Sequence, residues 1–267
     1  MMSDYVHGYS AREQDRLVDQ AMTLTSLLHS DTRYPPGSVI LEAGCGVGAQ
    51  TVTLAANSPE ACFVSVDLSE DSLVAAQRRV SDAGLRNVRF QREDIFRLSF
   101  ENECFDHVFL CFVLEHVSSP ERALAELRRV LKPDGSLTVI EGDHGSAYFH
   151  PDSEHARKAI ACLVELQRRA GGDSLIGRRL YPLLTENGFR EVTVSPRMVY
   201  AEANRPQLVE GFTRKTFTAM VEAVGKQAID AGMMTAARWE CGIRDLYRTA
   251  EKDGTFCYTF FKAVGLR

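Results

Sequence analysis

From Ser38 to Gly142 the chain alternates two textures. Short runs of β-branched and aromatic residues, "SVILEA", "CFVSVD", "NVRFQRED", "FDHVFLCF" and "SLTVIEG", are separated by longer stretches whose apolar residues recur at helical spacing. Runs of the first kind read as strands, and their alternation with helices predicts a parallel sheet covered on both faces. Five strands are reached by Gly142. The helix after Asp67 opens with "SEDS", acids where the helix dipole favours them. A second helix, over 120–131, has Ser119 as its cap, Pro120 in its first turn and Leu124, Leu127 and Leu131 along one face.

The flanks follow a different rhythm. Ser10 and Glu13 stand at capping-box spacing, and Leu17, Ala21, Leu24 and Leu28 follow on one face, so an amphipathic helix precedes the sheet until "YPPG" at 34–37 ends the approach. Residues 151–187 read as mostly helical with a break at "GGD" (171–173), and 189–200 as a sixth strand. Between 206 and 250, Phe217, Met220, Val221 and Val224, then Trp239, Ile243, Leu246 and Tyr247, keep helical spacing; the aromatic run 254–265 is a seventh strand. A helical cap inserted between strands six and seven is expected, with no strand of its own to rest on.

Composition narrows the function class. Across 267 residues, 45% hydrophobic and 25% charged positions are those of an ordinary globular protein, and a net charge of -5 gives no general attraction to phosphate backbones. Nucleic acid is not an expected partner, and no run suggests a membrane span or a signal segment. The seven cysteines (45, 62, 104, 111, 162, 241, 257) are odd in number and lack C-x-x-C spacing. They are expected to be reduced, buried thiols of a cytoplasmic protein.

The candidate chemistry gathers at "VILEAGCGVGAQT" (39–51), where three alternate glycines follow the first strand. Glycine lets backbone approach a ligand closely. Gly44-x-Gly46-x-x-Ala49 also satisfies a dinucleotide pattern, so the loop alone leaves NAD, a nucleoside triphosphate and S-adenosylmethionine open. Asp67 ends the second strand 23 residues after Gly44, where a carboxylate can bind both ribose hydroxyls, or serve only to cap the next helix. Asp94, in "REDIF" after the third strand, can accept from an adenine amino group, with Ile95 and Phe96 flanking the ring. Glu42 suits an ammonium and a sulfonium but would repel a pyrophosphate. Acids at three successive strand ends fit a cationic nucleoside better than a doubly anionic one.

These residues carry a family resemblance. "ILEAGCGVG" resembles the E-x-G-x-G-x-G motif of class I (Rossmann-like) S-adenosylmethionine-dependent methyltransferases, and "SVDLS", "REDIFRLSFENECFDHVF" and "VLEHVSSPERALAELRRVLKPDGSLTVIE" resemble the later motifs in order. The closing "DGTFCYTFFKAVG" resembles that family's last, antiparallel strand. The resemblance implies Glu42, Gly44 and Gly46 around the methionine moiety, Asp67 at the ribose, and Asp94 with Ile95 at the adenine. Ala43, Cys45, Gln50, Leu68, Phe96 and Cys111 complete the expected cofactor contacts. In "LKPDG", Asp134 stands where the family commonly has glycine.

Methyl transfer is an in-line displacement at an activated carbon, so positioning dominates and a base matters only for a protonated acceptor. His144, directly after the fifth strand, is the candidate base or acceptor hydrogen bond. Tyr5 and Tyr9, in "SDYVHGYS", are expected to fold over the site, Tyr5 as a cofactor contact and Tyr9 as a catalytic residue. His116 reads as structural. His144, His150 and His155 with Asp143 and Asp152 fit no familiar zinc spacing, so no metal is expected. The cap, carrying Phe212, Phe217, Met220 and Met233, favours a small-molecule acceptor over a folded protein.

The whole reads as a one-domain α/β fold over 1–267: a seven-stranded, mostly parallel sheet with helices on both faces. Residues 1–36 form a lid and helix, 37–142 the cofactor-binding half, 143–200 the acceptor side, 206–250 the cap and 254–265 the last strand. Protein methylation, nicotinamide-dependent oxidoreduction and silent cofactor binding are the rivals.

Overall fold

Ile40 and Leu41, adjacent and fully buried in β1 (Val39–Ala43), point to opposite faces of a sheet and enter two different cores. The computed structural model describes the backbone from Ala11 and side chains from Gln20; Tyr5, Tyr9 and the Ser10 cap lie outside the described residues. Helix α1 (Ala11–His29) comes first, with Leu24 and Leu28 buried. The repeating unit then runs α2 (Thr51–Asn57), β2 (Cys62–Asp67), α3 (Glu70–Asp82), β3 (Val88–Arg92), β4 (Phe105–Cys111), α4 (Pro120–Val130) and β5 (Leu131–Gly142). β1 pairs in parallel with β2 on one side and β4 on the other, so that Leu41 faces Val64 and Val108. A strand flanked and covered on both sides reads as a continuous apolar run, as β1 does.

The chain continues through β6 (Tyr148–His150), α5 (Glu154–Arg169), α6 (Leu180–Glu186) and β7 (Arg190–Ala201). A helical insertion follows: α7 (Pro206–Leu208), a π-helical stretch over Val209–Thr218, α8 (Ala219–Ala223), α9 (Gly225–Asp230) and α10 (Ala236–Arg248). β8 (Thr255–Leu266) returns antiparallel between β5 and β7, as the resemblance implies for the last strand. The order β3-β2-β1-β4-β5-β8 keeps the first five strands parallel and neighbouring. Eight strands replace the expected seven because the three-residue β6 pairs Tyr148 with Cys257; Cys257 also faces Tyr200 of β7, so β6 lies on the β5 side of β8.

The element ends bear on several local expectations. Ser69 caps α3, its hydroxyl accepting from Ser72 N at 3.2 Å, with Glu70 and Asp71 in the first turn as expected. Ser119 occupies the cap position of α4, but its side chain makes no capping bond there. Gly171, at φ +89°, ends α5 at the expected break. Asp134 adopts φ +60°, the left-handed region that favours glycine and that aspartate tolerates better than most residues. The turn therefore accommodates aspartate at this position.

Two expectations are corrected. The insertion does rest on a strand: Phe212 and Phe217 pack on Phe256, Tyr258 and Phe260 of β8, with ring centroids 4.8–6.2 Å apart. In an α-helix, residues five apart lie about 140° from one another. The wider winding of 209–218 lets Phe212 and Phe217 share one face, their rings 6.3 Å apart. The cysteines are all free, but only Cys45 and Cys162 are buried, and Cys62 is exposed at the start of β2. Its neighbours in β2 carry the burial instead.

Candidate cofactor and acceptor site

The loop after β1 holds Gly44, Gly46 and Gly48 at φ +75°, +52° and +76°, where any Cβ is strained. Their surroundings differ. A Cβ on Gly44 would fall 2.6 Å from Val113 Cγ2 and one on Gly48 2.9 Å from Ala76 Cα, while one on Gly46 would meet nothing within 4 Å. The volume cleared by Gly44 is thus occupied by Val113 of the same chain, a reason for the glycine that its position in the motif does not supply. Gly46 faces open space. The turn is fixed further by Gly44 N and Cys45 N, which both donate to Val66 O at 2.8 and 2.9 Å. Ala43 and Cys45 are buried beneath it, and burial pushes the Cys45 thiol well up, keeping it protonated.

Asp67, half-buried at the end of β2, reaches across to this loop. Its Oδ2 accepts from Gly46 N at 2.8 Å and its Oδ1 from Ser69 N at 2.9 Å. Each oxygen keeps a further lone pair for a hydroxyl donor. The helix-cap alternative is answered by Ser69, which does the capping. Glu42 lies behind the loop, 2% exposed, with Ser65 Oγ donating to its Oε2 at 2.6 Å. Burial raises its carboxyl to about 7, against the lowering effect of Ser65, and the Asp67 charge adds to the rise.

The third acid sits at the next strand end. Asp94 is exposed, its Oδ1 accepting from Phe96 N at 2.9 Å, and Ile95 and Phe96 are half-buried against the sheet. The Arg122 guanidinium lies 5.3 Å from the Phe96 ring centroid. Leu68 is half-buried, its carbonyl held by Arg92 Nε at 3.0 Å. Glu93 N donates to Asp67 O at 3.1 Å, tying the two strand ends together. Gln50 faces the other way: its Oε1 meets His29 Nε2 at 2.7 Å, tying the loop to the end of α1. Burial lowers His29 to about 4, so at neutral pH this ring is uncharged. The structure therefore brings Glu42, Gly46, Asp67 and Asp94 to one edge formed by β1, β2 and β3. Cys111 ends the neighbouring β4, its thiol pushed up by burial and by the Glu141 charge.

Beyond β5 the chemistry is interior. His144 is buried, its Nδ1 2.7 Å from Tyr258 Oη and its ring edge-on to Phe217 at 6.0 Å. Asp143 accepts both Arg178 Nε and Nη2 at 2.7 Å, a bidentate pair, and also Gly145 N at 3.0 Å. His116 approaches the Glu115 carboxylate at 3.5 Å. Among the described residues no group of three or more His, Cys, Asp and Glu side chains is placed to hold a metal ion.

Sequence reasoning passed over Glu141, Phe112 and Tyr258. Glu141 is fully buried and accepts from Val113 N at 3.0 Å and Leu114 N at 2.7 Å. A carboxylate closing the apolar strand "SLTVIEG" was the available signal. Phe112 stands at φ +59°, rare for a bulky residue, and no residue pattern announces that.

Known proteins share this arrangement in part. Residues 41–139 match a family model described as "Methyltransferase domain". An uncharacterized 37.1 kDa protein in transposon TN4556 of Streptomyces fradiae is 33% identical over 233 residues, 85% of this chain and 64% of that protein. The demethylmenaquinone methyltransferase of Symbiobacterium thermophilum is 33% identical over 122 residues, 45% of this chain and 49% of the enzyme. The chain thus spans less than two thirds of the length of these curated relatives. Among solved structures, phosphoethanolamine N-methyltransferase 2 of Haemonchus contortus, in complex with phosphomonomethylethanolamine and S-adenosylhomocysteine, has a TM-score of 0.56 at 17% identity, covering 93% of this chain and 53% of that one. That likeness is one of fold.

Proposed function

We propose that this chain, whose residues 41–139 form a methyltransferase domain of the class I type, transfers a methyl group from S-adenosylmethionine to a small-molecule acceptor by in-line displacement. One observation carries the reading: carboxyl groups stand at the ends of β1, β2 and β3, and that of Asp67 holds a glycine turn whose Gly46 is open. Such an edge attracts a cationic nucleoside and repels a pyrophosphate. In this reading Asp67 binds the ribose hydroxyls through its remaining lone pairs. Asp94 takes the adenine amino group, between Ile95 and Phe96. Glu42, Ala43, Gly44, Cys45, Gly46, Leu68 and Cys111 surround the rest of the cofactor, and Gln50 holds the loop to His29.

When bound, the cofactor supplies a methyl group already activated by a positive sulfonium. The chain's own residues then hold the two reactants in line, the effect that dominates such a transfer. In this reading His144, its Nδ1 2.7 Å from Tyr258 Oη, orients or deprotonates an acceptor beyond β5. Tyr5 and Tyr9 complete the reading from the N-terminal segment. A small acceptor is supported by the small molecule named for the Symbiobacterium enzyme, while Phe212, Phe217 and Tyr258 pack as core under the insertion. Seven free thiols favour a reducing, cytoplasmic setting. Among the described residues, no helix is long and apolar enough to cross a membrane.

The test is profiling of extract incubated with the protein and isotopically labelled methyl donor. Label in the small-molecule fraction supports the reading, label in protein replaces the acceptor class, and no transfer at all would leave only a binder. Protection by NADH in place of S-adenosylhomocysteine would favour the nicotinamide reading.

A further inference from the structure

The glycine loop is gripped from two sides. On the β2 side the grip is Val66 O, on Gly44 N and Cys45 N, with the Asp67 carboxylate on Gly46 N. On the β4 side it is a side chain: the methyls of Val113 stand where a Gly44 Cβ would fall. Val113 owes its position to a sharp reversal just beyond β4. Phe112 N still pairs with Ile140 O at 2.9 Å, and Phe112 itself then turns through φ +59°. A bulky residue holds that conformation only when its surroundings impose it.

Glu141 holds the backbone immediately after this turn. Its Oε1 accepts the next two backbone N–H groups, Val113 at 3.0 Å and Leu114 at 2.7 Å, from within the fully buried end of β5. Two donors converging on one buried oxygen fix both peptide planes after the turn. The helical turn over Leu114–His116 begins only at this point, so its own hydrogen bonding does not reach back to these two groups. Resting on the reading of this edge as the cofactor site, we propose that Glu141 is a positioning residue for cofactor binding, holding Val113 against Gly44 and so keeping the glycine loop in its ligand-ready shape.

What the arrangement requires at this position is an acceptor oxygen. Burial and the neighbouring Glu115 hold the Glu141 carboxyl well above the usual carboxylate range. A glutamine amide oxygen meets the same two donors, whereas leucine leaves both without a partner.

The experiment is calorimetric titration of S-adenosylhomocysteine into the full-length wild type, Glu141→Gln, Glu141→Leu and Val113→Ala, each checked for folding by circular dichroism. Glu141→Gln is expected within about threefold of wild type and Glu141→Leu at least about tenfold weaker, roughly 1.4 kcal/mol. Val113→Ala keeps the Glu141 bonds but removes the buttress, and should weaken binding about threefold or more. It stands as the test should Glu141→Leu fail to fold. Equal affinity in a folded Glu141→Leu, or in Val113→Ala, would overturn the inference, as would a Glu141→Gln as weak as the leucine variant. If the wild type itself takes up no S-adenosylhomocysteine, it is the reading of the site that fails.

Discussion

The two ends of the sheet handle polar groups in opposite ways. At β1, β2 and β3, Asp67 and Asp94 stay accessible and are steadied by short-range backbone donors, Ser69 N two residues on and Phe96 N two residues on. At β5 and β8 the polar groups are buried and steadied by partners far along the chain, as His144 is by Tyr258 and Glu141 by Val113. The first arrangement leaves lone pairs free for a ligand and charge close to water. The second stores geometry in the core, where an unmet partner is costly. In the proposed function, recognition of a cation sits at the first end and orientation of an acceptor at the second.

Glu42 belongs to the first end by sequence and to the second by burial, which makes it the sharpest probe. Its carboxyl titrates near 7 in the fold against 4.5 as the ordinary value, so the folded state holds a proton that the unfolded state has already lost. Stability contributed by this group is therefore greatest below about 4.5 and falls as pH rises to about 7. A tenfold difference in proton affinity between the two states is worth about 1.4 kcal/mol, so Glu42→Gln should stabilise the free protein at pH 8 by up to about 3 kcal/mol and by little at pH 4.5. Thermal melts at the two pH values check this. The same substitution should weaken S-adenosylmethionine binding, since a bound cation favours the ionised form.

Asp67→Ala comes next. It removes the acceptor of the Gly46 and Ser69 donors as well as the ribose contacts, and should weaken S-adenosylhomocysteine binding by at least ~1.5 kcal/mol by calorimetry. His144→Ala probes the other end: turnover should fall about tenfold, ~1.4 kcal/mol, with cofactor affinity little changed. Equal rates would leave the ring only its packing role against Phe217 and Tyr258. Asp94→Ala should be smallest, under ~1 kcal/mol in affinity, because its carboxylate is exposed and screened.

The contrast also explains what could be read ahead of the fold. The glycine loop, the acids opening α3 and the carboxylates at 67 and 94 could be read because each stands in a short local pattern at a strand end, although Asp67 also meets Gly46 across the sheet. The parallel sheet followed from the alternation of strands and helices. Burial of Glu141, the left-handed Phe112 and the Val113 contact at Gly44 depend on strands meeting across the sheet, which no local pattern encodes. The insertion lies between these cases: its aromatic spacing was visible, but the π-helical winding that sets Phe212 beside Phe217 against β8 was not. The expected burial of Cys62 failed because that residue opens β2, ahead of the buried Phe63, Ser65 and Val66.

The most direct measurement is a crystal structure with S-adenosylhomocysteine bound. The account predicts the ligand across the open side of Gly46, ribose hydroxyls on the two Asp67 oxygens and the adenine amino group toward Asp94. A ligand seated elsewhere, or those two carboxylates turned away from sugar and base, would contradict it.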